Sequence, residues 1–346
     1  MTLRFDQIAR ECRGTFNGNL EEMPIVGLEH IEPYDMLLKN WDVNVETTFT
    51  KEFHKGQIMF GRRRAYQHKA CVATCDGICS GDITLIEPIE GMVYPDLLPF
   101  IVQNDDFFEH AIKGSNGALS PRVKWEHMAN FEVNLPSLAE QKVLAEKLWA
   151  AYEVKQSYLK MIEATEDLVK SQFKIIFATK NGNAKLGDYV TIRTGKLDAN
   201  AATDNGKYPF FSCSYDTLKI DTFAFDCEAV LLAGNGDFCV KYYNGKFNAY
   251  QRTYVIESKD KVSLPVEYLY YWMTYYSEIL RKQAIGGLIK YIKIGYLTDA
   301  PFYLPSLNEI NDYLKMFHQI DKTISELRKS IDAIDKVIKS LINENL

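Results

Sequence analysis

The sequence predicts an α+β fold: two mainly β domains joined by two long antiparallel coiled-coil helices, arranged as a pseudo-two-fold internal repeat. With 346 residues, 47% of them hydrophobic and 13% aromatic, the chain is long enough for two domains that each bury a core. A segment from the middle of the chain recurs near residue 290, and each copy precedes a long helical pattern. These observations indicate two similar halves, each built from a globular part and a helix.

The internal repeat is the main evidence for two similar halves. GALSPRVKWEHMANFEVNLPSLAE (117–140) and GGLIKYIKIGYLTDAPFYLPSLNE (286–309) align without gaps at an offset of 169 residues. The two copies share Gly117/Gly286, Leu119/Leu288, Lys124/Lys293 and the whole LPSL-x-E motif. Agreement of this kind over one long segment is improbable by chance, and a repeat determines how the whole fold is interpreted.

Both copies end in the same helix entrance. In each, a proline follows an apolar stretch, then a serine, and then a glutamate three residues after the serine. Ser137 with Glu140, and Ser306 with Glu309, have the spacing of a capping box, in which the serine oxygen and the glutamate carboxylate satisfy amides of the first turn. The spacing therefore predicts two helices that begin in the same way.

The second helix is predicted from Asn308 to about Asn343. Its apolar residues alternate in spacing between three and four, without glycine or proline, which is typical of a coiled coil about 50 Å long. A core-facing amphipathic helix is the alternative. The seam consists of Ile310, Tyr313, Phe317, Ile320, Ile324, Leu327, Ile331, Ile334, Ile338 and Leu341.

The first helix, about Leu138 to Thr179, has a less regular seam with small and polar members, so we expect the second helix to be its partner. An antiparallel pair would hold the two globular halves apart at opposite ends. The seam positions are Leu144, Leu148, Ala151, Lys155, Tyr158, Ile162, Thr165, Val169, Phe173 and Ile176.

The globular halves follow a common pattern of strands. Segments 49–61 and 221–234 each end an apolar strand in glycine, and each is followed by a polar insertion and a second strand, ITLIEP (83–88) or TYVIES (253–258). A helix is predicted from Val266 to Gln283, and Asn244-Gly245 is typical of a hairpin turn. The predicted domains are 1–137, 138–180, 181–306 and 307–346, with 181–188 as a boundary loop.

This organisation resembles the specificity subunit of type I restriction-modification systems over essentially the whole chain. The motifs that carry the resemblance are NLPSLAEQ, YLPSLNEI, KLGDYVTIRTGK (185–196), SYDTLKIDTFAFDCEAVLLAG (214–234) and YYNGKFNAYQRTYV (242–255). The resemblance implies that each globular half is a target-recognition domain reading one part of a split, asymmetric site in double-stranded DNA. The helices would set the gap between the two parts.

The resemblance also implies partners. Two DNA methyltransferase (modification) subunits would dock on the helices and motor-nuclease (restriction) subunits would join them, supplying S-adenosylmethionine, ATP and Mg²⁺ chemistry. The entrance residues Leu135, Pro136, Glu140, Gln141, Leu304, Pro305 and Glu309 are the expected docking positions. Two departures are visible: the first half opens LRFDQIARECRG instead of KLGD, and Ile310 replaces Gln141, which could make the docking faces unequal.

Positive charge is concentrated locally. The net charge of −6 argues against a protein that binds polyanions over its whole surface, but residues 51–70 contain six Lys/Arg and one acid. Arginine, asparagine and glutamine can read base edges through paired hydrogen bonds. The expected base-reading residues, in two matching hairpin loops, are Arg62, Arg63, Arg64, Tyr66, Gln67 and His68, and Asn235, Asp237, Lys241, Tyr242, Tyr243 and Asn244.

Other cations are expected to position the DNA through its phosphates, which carry no sequence information. A basic triplet on its own is more often a solvated turn, and the matching loop in the second half is what favours DNA binding. The expected phosphate contacts are Lys69, Arg122, Lys124, Lys246, Lys290 and Lys293.

Catalytic, metal and membrane patterns are weak. The sequence has no phosphate-binding G-x-x-x-x-G-K-[ST] loop, and GNG (234–236) and YPFF (208–211) do not match methyltransferase motifs. Cys71, Cys75 and Cys79 lack an evident fourth ligand, so no metal is expected. No leader or long apolar run appears, which favours the cytoplasm. We therefore expect a non-enzymatic chain without a cofactor of its own.

Two alternatives stay open from the sequence. The chain could be the recognition subunit of a related methylation or phage-defence system without a nuclease. It could also be a coiled-coil adaptor whose globular halves bind protein or glycan, in which case it would have no salt-dependent affinity for DNA.

Overall fold

The chain divides into two units, and each contains part of both long helices. The computed structural model describes residues 1–115, 120–178, 182, 184–286 and 290–346. The first unit comprises Met1–Tyr158 and Lys329–Leu346, and the second comprises Leu159–Arg328. The repeat positions Gly117, Leu119 and Leu288, the predicted helix end at Thr179, and residues 180, 181 and 183 lie outside the described ranges. The four predicted domain bounds remain a prediction.

The globular part of the first unit is rich in short strands. A four-stranded sheet has the order β2-β8-β5-β6, a three-stranded sheet the order β3-β7-β4, and β1 pairs with β9. The strands are β1 (Thr2–Arg4), β2 (Ala9–Cys12), β3 (Ile25–Val26), β4 (Lys51–Phe53), β5 (Ile58–Gly61), β6 (Ala70–Val72), β7 (Gly77–Cys79), β8 (Ile83–Pro88) and β9 (Glu132–Asn134). The helices are α1 (Phe5–Ile8), α2 (Leu98–Val102), α3 (Asp105–Lys113) and α4 (Trp125–Met128).

Aromatic packing against the four-stranded sheet builds the core of this unit. Asn104 caps α3 by accepting a hydrogen bond from the Asp106 amide at 3.1 Å, so the helix begins where Phe107 and Phe108 can face inward. The Phe107 ring lies 4.7 Å from Phe5, and the Phe108 ring stacks 5.2 Å from Phe60 of β5. All four phenylalanines are fully buried, so they anchor the helices to the sheet.

The second unit contains one larger sheet of six strands in the order β11-β16-β14-β15-β12-β13, and a separate pair, β10-β17. Its strands are β10 (Ala184–Lys185), β11 (Val190–Thr194), β12 (Tyr208–Phe211), β13 (Leu218–Ile220), β14 (Phe225–Ala233), β15 (Val240–Ala249), β16 (Thr253–Ser258) and β17 (Pro301–Phe302). Its short helices are α6 (Leu186–Tyr189), α7 (Val266–Gln283) and α8 (Gly295–Thr298). Tyr268, Leu269, Trp272 and Met273 of α7 form much of its core.

The two sheets share a connected set of four strands. The orders β2-β8-β5-β6 and β11-β16-β14-β15 place the strands at corresponding chain positions side by side, and every pair is antiparallel. Both units also open as a strand, a one-turn helix and a strand, so the different openings LRFDQIARECRG and KLGD fold alike. The predicted strands 83–88 and 253–258 and the predicted helix Val266–Gln283 are confirmed.

The predicted turn at Asn244-Gly245 is wrong. Asn244 pairs with Glu228 and Gly245 with Cys227 inside the long β14-β15 ladder. The chain reverses earlier, between β14 and β15, where Gly236 has a φ of +72°. An Asn-Gly sequence does not form a turn where the residues on both sides of it can stay in the sheet, because the continued strand gains further hydrogen bonds.

Both predicted long helices are present. They are α5 (Leu138–Phe173), followed by a π-helical turn (Lys174–Ala178), and α9 (Leu307–Asn345). Every predicted seam residue whose side chain is described is buried or half-buried, and that of Phe173 is not among them. In the first unit Lys155 of α5 forms an ion pair of 2.7 Å with Asp335 of α9, and in the second Glu166 lies 3.6 Å from Arg328. From the first pair to the second, the residue number rises along α5 and falls along α9, as antiparallel helices require.

The capping boxes are confirmed at both helix entrances. The Ser137 amide and hydroxyl donate to the Glu140 carboxylate at 2.9 and 2.7 Å, and the Glu140 amide donates back to the Ser137 oxygen at 3.4 Å. Ser306 and Glu309 repeat the pattern at 3.0, 2.9 and 3.4 Å. The hydrogen bonds from the Ser137 hydroxyl and amide lower the pKa of Glu140.

The residue after each capping box faces inward. Gln141 is 2% exposed, and its amide joins two backbone groups: it accepts from the Tyr94 amide at 2.9 Å and donates to the Pro136 carbonyl at 3.0 Å. Ile310, at the matching position, is fully buried in the core of the second unit. The exchange of Gln141 for Ile310 therefore changes the interior of each entrance and not an exposed docking face.

None of the helices in the described part of the chain combines the length and apolar character needed to cross a lipid bilayer.

Loss of either cap should destabilise the chain. We expect Ser137→Ala and Ser306→Ala each to lower the free energy of unfolding by about 1 kcal/mol, because the first helical turn loses its side-chain acceptor. Urea denaturation followed by circular dichroism measures this change. Ser325→Ala, at an exposed position inside α9, is the matched control and should be neutral. Equal stabilities for the cap and control variants would contradict the role of the caps.

Removal of the Gln141 amide should cost more than removal of an exposed neighbour. Gln141→Ala leaves the Tyr94 amide and the Pro136 carbonyl without this partner, and a buried unsatisfied polar group costs about 1–3 kcal/mol. Lys142→Ala, on the exposed side of the same turn, should stay within about 0.5 kcal/mol of the parent. A Gln141→Ala variant as stable as Lys142→Ala in urea denaturation would argue against this.

Candidate nucleic-acid interface

In the first unit the basic triplet lies in the loop that joins β5 to β6. Three backbone hydrogen bonds fasten the basic triplet at the start of this loop to the rest of the unit. The Arg62 amide donates to the Asp82 carbonyl at 2.9 Å, the Val123 amide donates to the Arg62 carbonyl at 2.9 Å, and the Arg64 amide donates to the Pro121 carbonyl at 2.9 Å. The triplet is therefore held by two separate segments, one before β8 and one before α4.

In the second unit the loop between β14 and β15 is fastened in the same way. The Gly234 amide donates to the Arg252 carbonyl at 2.8 Å, and the Ile292 amide donates to the Gly234 carbonyl at 3.1 Å. The Gly236 amide donates to the Lys290 carbonyl at 3.0 Å. Both loops thus receive equivalent backbone hydrogen bonds.

The fastening segments are the two copies of the sequence repeat. Val123 and Ile292 are 169 residues apart, which is the offset of the repeat, and so are Arg122 and Tyr291. Isolated β-bridges join Arg63 to Arg122 in the first unit and Asn235 to Tyr291 in the second. Each unit therefore builds the same arrangement of backbone hydrogen bonds, here called the loop frame. The side chains on the frame differ between the two units.

Asp82 organises the arginines of the first loop frame. Its carboxylate accepts from Arg122 Nε at 2.6 Å and Nη2 at 3.2 Å, and Arg63 Nη1 lies 3.7 Å away. Arg63 Nε donates to the Ser120 hydroxyl at 2.6 Å. The hydrogen bond from Arg122 lowers the pKa of Asp82, so this acid stays ionised and fixes the orientation of both guanidinium groups.

The remaining predicted readers of the first unit differ in exposure. Arg64 is exposed in a left-handed conformation with a φ of +54°, Tyr66 is 54% exposed and Gln67 is half-buried. Arg62 Nε is buried and has no hydrogen-bond partner in the described part of the chain. Arg64 and Tyr66 are thus the most accessible members of this loop.

His68 and Lys69 support the loop from inside. The His68 ring lies between Tyr34, at 4.8 Å, and Phe108, at 4.5 Å, and its Nδ1 is buried. The Lys69 ammonium donates to the Leu28 carbonyl at 2.6 Å. Both side chains are therefore half-buried and engaged with the protein.

In the second unit the predicted readers are divided between the loop and its stem. Asn235 and Asp237 lie in the loop, whereas residues 241–244 belong to β15. Arg281 fastens the loop further by donating to the Asp237 carbonyl from Nε at 3.0 Å and from Nη2 at 2.7 Å. Asn244 is exposed along the stem.

The other stem residues are engaged with their neighbours. The Lys241 ammonium donates to the carbonyls of Ser214 and Asp216 at 2.9 and 3.1 Å, and burial lowers its pKa. The Tyr242 hydroxyl donates to Glu228 at 2.7 Å. The Tyr243 ring packs against Phe211 and Phe247. These contacts are structural in kind and limit how far the side chains can reach.

Several predicted phosphate contacts are exposed. Lys124 and Lys293, at matching positions of the repeat, are both exposed, and so is Lys290. Lys246 is exposed with its ammonium 4.8 Å from the Phe223 ring. Exposed ammonium groups of this kind suit contacts with a polyanion.

Arg252 is not among the residues predicted from the sequence. This residue is exposed in the turn before β16, and the strand registers Gly61–Ile83 and Ala233–Thr253 place it at the position that Asp82 has in the first unit. Its signal was present in the sequence, because Arg252 directly precedes TYVIES as Asp82 directly precedes ITLIEP. The register of the strands is what shows that Arg252 and Asp82 occupy the same position in the two units.

The cysteine group has no metal-like arrangement. Cys71 and Cys79 are buried on β6 and β7, and burial raises the pKa of Cys79 to about 12. Within the described ranges, no group of three or more His, Cys, Asp or Glu side chains could hold a metal ion. These cysteines pack as small apolar residues.

The sequence comparisons each cover less than half of the chain. Residues 180–336 match the family model of the type I restriction modification DNA specificity domain. The specificity subunit of the type I restriction enzyme EcoDI from Escherichia coli is 39% identical over 155 residues, an alignment that covers 45% of this chain and 34% of the relative. The alignment thus spans about a third of that protein's length.

The structural comparisons concern the whole chain. A chain from a structure on complex assembly and conformational transition of the type I R-M system matches with a TM-score of 0.61 and 15% identity, covering 100% of this chain and 97% of that one. The S subunit of the type I restriction-modification system from M. genitalium matches with a TM-score of 0.58 and 12% identity, covering 99% and 94%. At these identities the likeness concerns the fold, and it confirms the predicted α+β architecture with long helices. Together the comparisons confirm the resemblance that the sequence predicts: this chain is similar to the specificity subunits of type I restriction-modification systems, and its residues 180–336 match the model of their DNA specificity domain.

Proposed function

We propose that this chain is the sequence-specific DNA-recognition subunit of a type I restriction-modification complex, with each unit reading one part of a bipartite, asymmetric site. The observation that carries the proposal is the pair of loop frames. Both units hold a hairpin loop by equivalent backbone hydrogen bonds, yet the exposed side chains on the two loops differ. Two readers of the same shape but different chemistry suit a site split into two unlike parts.

Base reading in the first unit would fall to the exposed end of its loop. Arg64 is exposed, and Arg63 presents a guanidinium whose direction Asp82 and Ser120 set. A guanidinium held in one orientation loses less freedom on binding the acceptors of a guanine. Tyr66 and Gln67 lie beside them. Lys124, and Lys290, Lys293 and Lys246 in the second unit, would contact phosphates.

The long helices would carry the partner subunits and set the gap between the two parts of the site. Met161 and Leu168 of α5 are seven residues apart, on the same face of the helix, and are 50% and 51% exposed. Such an apolar stripe supports docking of the methyltransferase subunits. Leu135, Pro136, Gln141, Leu304 and Pro305 would shape the entrances from inside, and Glu140 and Glu309 would cap them.

The chain itself would be non-catalytic. Methylation would be carried out by two methyltransferase subunits that bind S-adenosylmethionine and receive an adenine flipped out of the duplex. Motor-nuclease subunits would use ATP and Mg²⁺. The net charge of −6 is consistent with a complex in which these partners supply much of the phosphate contact.

Genome-wide mapping of adenine methylation tests the proposal. A host that expresses this chain together with its methyltransferase subunit should acquire a new split motif with modified adenines in both parts. The methyltransferase alone is the control and should give no such motif. If the assembled complex adds no modification, recognition of DNA by this chain is refuted, and an adaptor without salt-dependent DNA affinity becomes the better explanation.

The loop assignment for the first unit has its own test. Arg64→Ala should lower discrimination at one position of one part by about 1–3 kcal/mol, the worth of a paired contact to a base, and leave the other part unchanged. Methylation rates on duplexes with single-base changes give this value. Arg10→Ala is the matched control, because Arg10 is an exposed arginine of the same unit already paired with Glu87. Unchanged discrimination in Arg64→Ala would remove Arg64 from the readers.

A further inference from the structure

We propose that Arg252 is a specificity-determining residue of the second unit, reading the acceptor edge of a guanine from the turn before β16. This inference rests on the proposed function and extends it to a residue outside the predicted loops. Its basis is the placement of Arg252 on the loop frame, the charge around that frame and the shape of the surface beside it.

The placement follows from hydrogen bonds that match between the units. The carbonyl of Arg252 accepts from the Gly234 amide at 2.8 Å, as the carbonyl of Asp82 accepts from the Arg62 amide at 2.9 Å. Both residues directly precede the strand that lies beside the hairpin, so their side chains leave the backbone at the same point of the frame. The frame thus carries an acid in one unit and an arginine in the other.

The charge around the two positions differs as well. In the first unit Asp82 lies among Arg62, Arg63 and Arg122, and it pairs with the last two. The corresponding residues of the second unit are Gly234, Asn235 and Tyr291, none of which is charged. The loop 234–239 contains no lysine or arginine and one acid, Asp237. An arginine at position 252 therefore supplies the positive charge that the loop itself lacks.

The Arg252 side chain is available for a ligand. The residue is exposed, and no hydrogen bond or ion pair joins its guanidinium to any residue in the described ranges. Lys241, a predicted base-reading cation on the stem, is occupied by the carbonyls of Ser214 and Asp216. Of these two cations, Arg252 is the one that can contact DNA without first breaking a contact within the protein.

The turn that presents Arg252 is held firmly. The Tyr250 amide donates to the Phe211 carbonyl at 2.9 Å, and the Gln251 amide donates to the Leu197 carbonyl at 2.9 Å. A Cβ atom on Gly195 would lie 1.8 Å from the Ala249 carbonyl oxygen, so only glycine permits this close approach of the two backbones. Because the turn is rigid, only the long side chain of the arginine loses conformational entropy when it binds a ligand.

The surface beside Arg252 is concave. A cavity of about 310 Å³ is bordered by Arg252, Gln251, Thr194 and Tyr291, and by Gly234 of the hairpin. Gln251 is exposed, and its amide offers both a donor and an acceptor. A guanidinium fork beside an amide suits the paired acceptors of a guanine edge and the polar groups of the next base.

The test uses the full chain in complex with its methyltransferase, on duplexes that carry each single-base change of the site mapped for the parent. The variants are Arg252→Ala, Arg252→Lys and, as the matched control, Arg193→Ala. Arg193 is an exposed arginine of the same unit whose guanidinium is occupied by Glu257 at 2.5 Å and lies over the Phe225 ring. Ratios of methylation rates between bases report discrimination even when the total rate falls.

We expect the parent and Arg193→Ala to prefer guanine at one position of one part at least tenfold, and Arg252→Ala to lose this preference there alone. Arg252→Lys should not restore it, because an ammonium cannot bind two acceptors as a fork. Preserved preference in Arg252→Ala overturns the proposal. So does a uniform fall in rate that Arg252→Lys repairs, which identifies a phosphate contact instead. A parent complex without any bipartite motif refutes the proposed function itself, which is a separate result.

Discussion

The candidate interface depends on the backbone hydrogen bonds that tie each hairpin loop to the repeat segment. The bonds from Val123 and Ile292 hold the start of each loop against the repeat segment, while Ala65 and Phe238 anchor the rest of each loop in the core of its unit. A backbone bond depends little on which side chains the bonded residues carry. One frame can therefore display arginines in the first unit and small neutral residues in the second.

The helix entrances likewise combine a shared backbone arrangement with side chains that differ between the units. The capping boxes are identical in both units and lie on the surface, whereas the position that follows is a hydrogen-bonded glutamine in one unit and an apolar isoleucine in the other. The shared motif determines where each helix begins. The exchanged residue adapts that beginning to the core beneath it, with hydrogen bonds to the Tyr94 amide in one case and apolar packing in the other.

Much of the fold could be predicted because its signals are local. Capping boxes, the seam of α9 and the strands 83–88 and 253–258 depend on residues near one another in the chain. The site could be predicted less well, because its decisive contacts join distant segments. Arg252 precedes TYVIES as Asp82 precedes ITLIEP, but only the strand register shows that the two residues share a position, and nothing around His68 indicates that two aromatic rings enclose it. The prediction of a turn at Asn244-Gly245 was wrong for the same reason, because these residues pair with the distant strand β14.

The loop frame also bears on how such a chain could change over generations. Exposed substitutions away from packing contacts usually alter stability by no more than about 0.5 kcal/mol. Because the bonds that shape each loop come from the backbone, exposed residues such as Arg64 and Arg252 can be exchanged while the scaffold stays folded. The two units can then diverge independently, so that a new preference in one arises without compensating change in the other. A lineage could acquire new targets one half at a time.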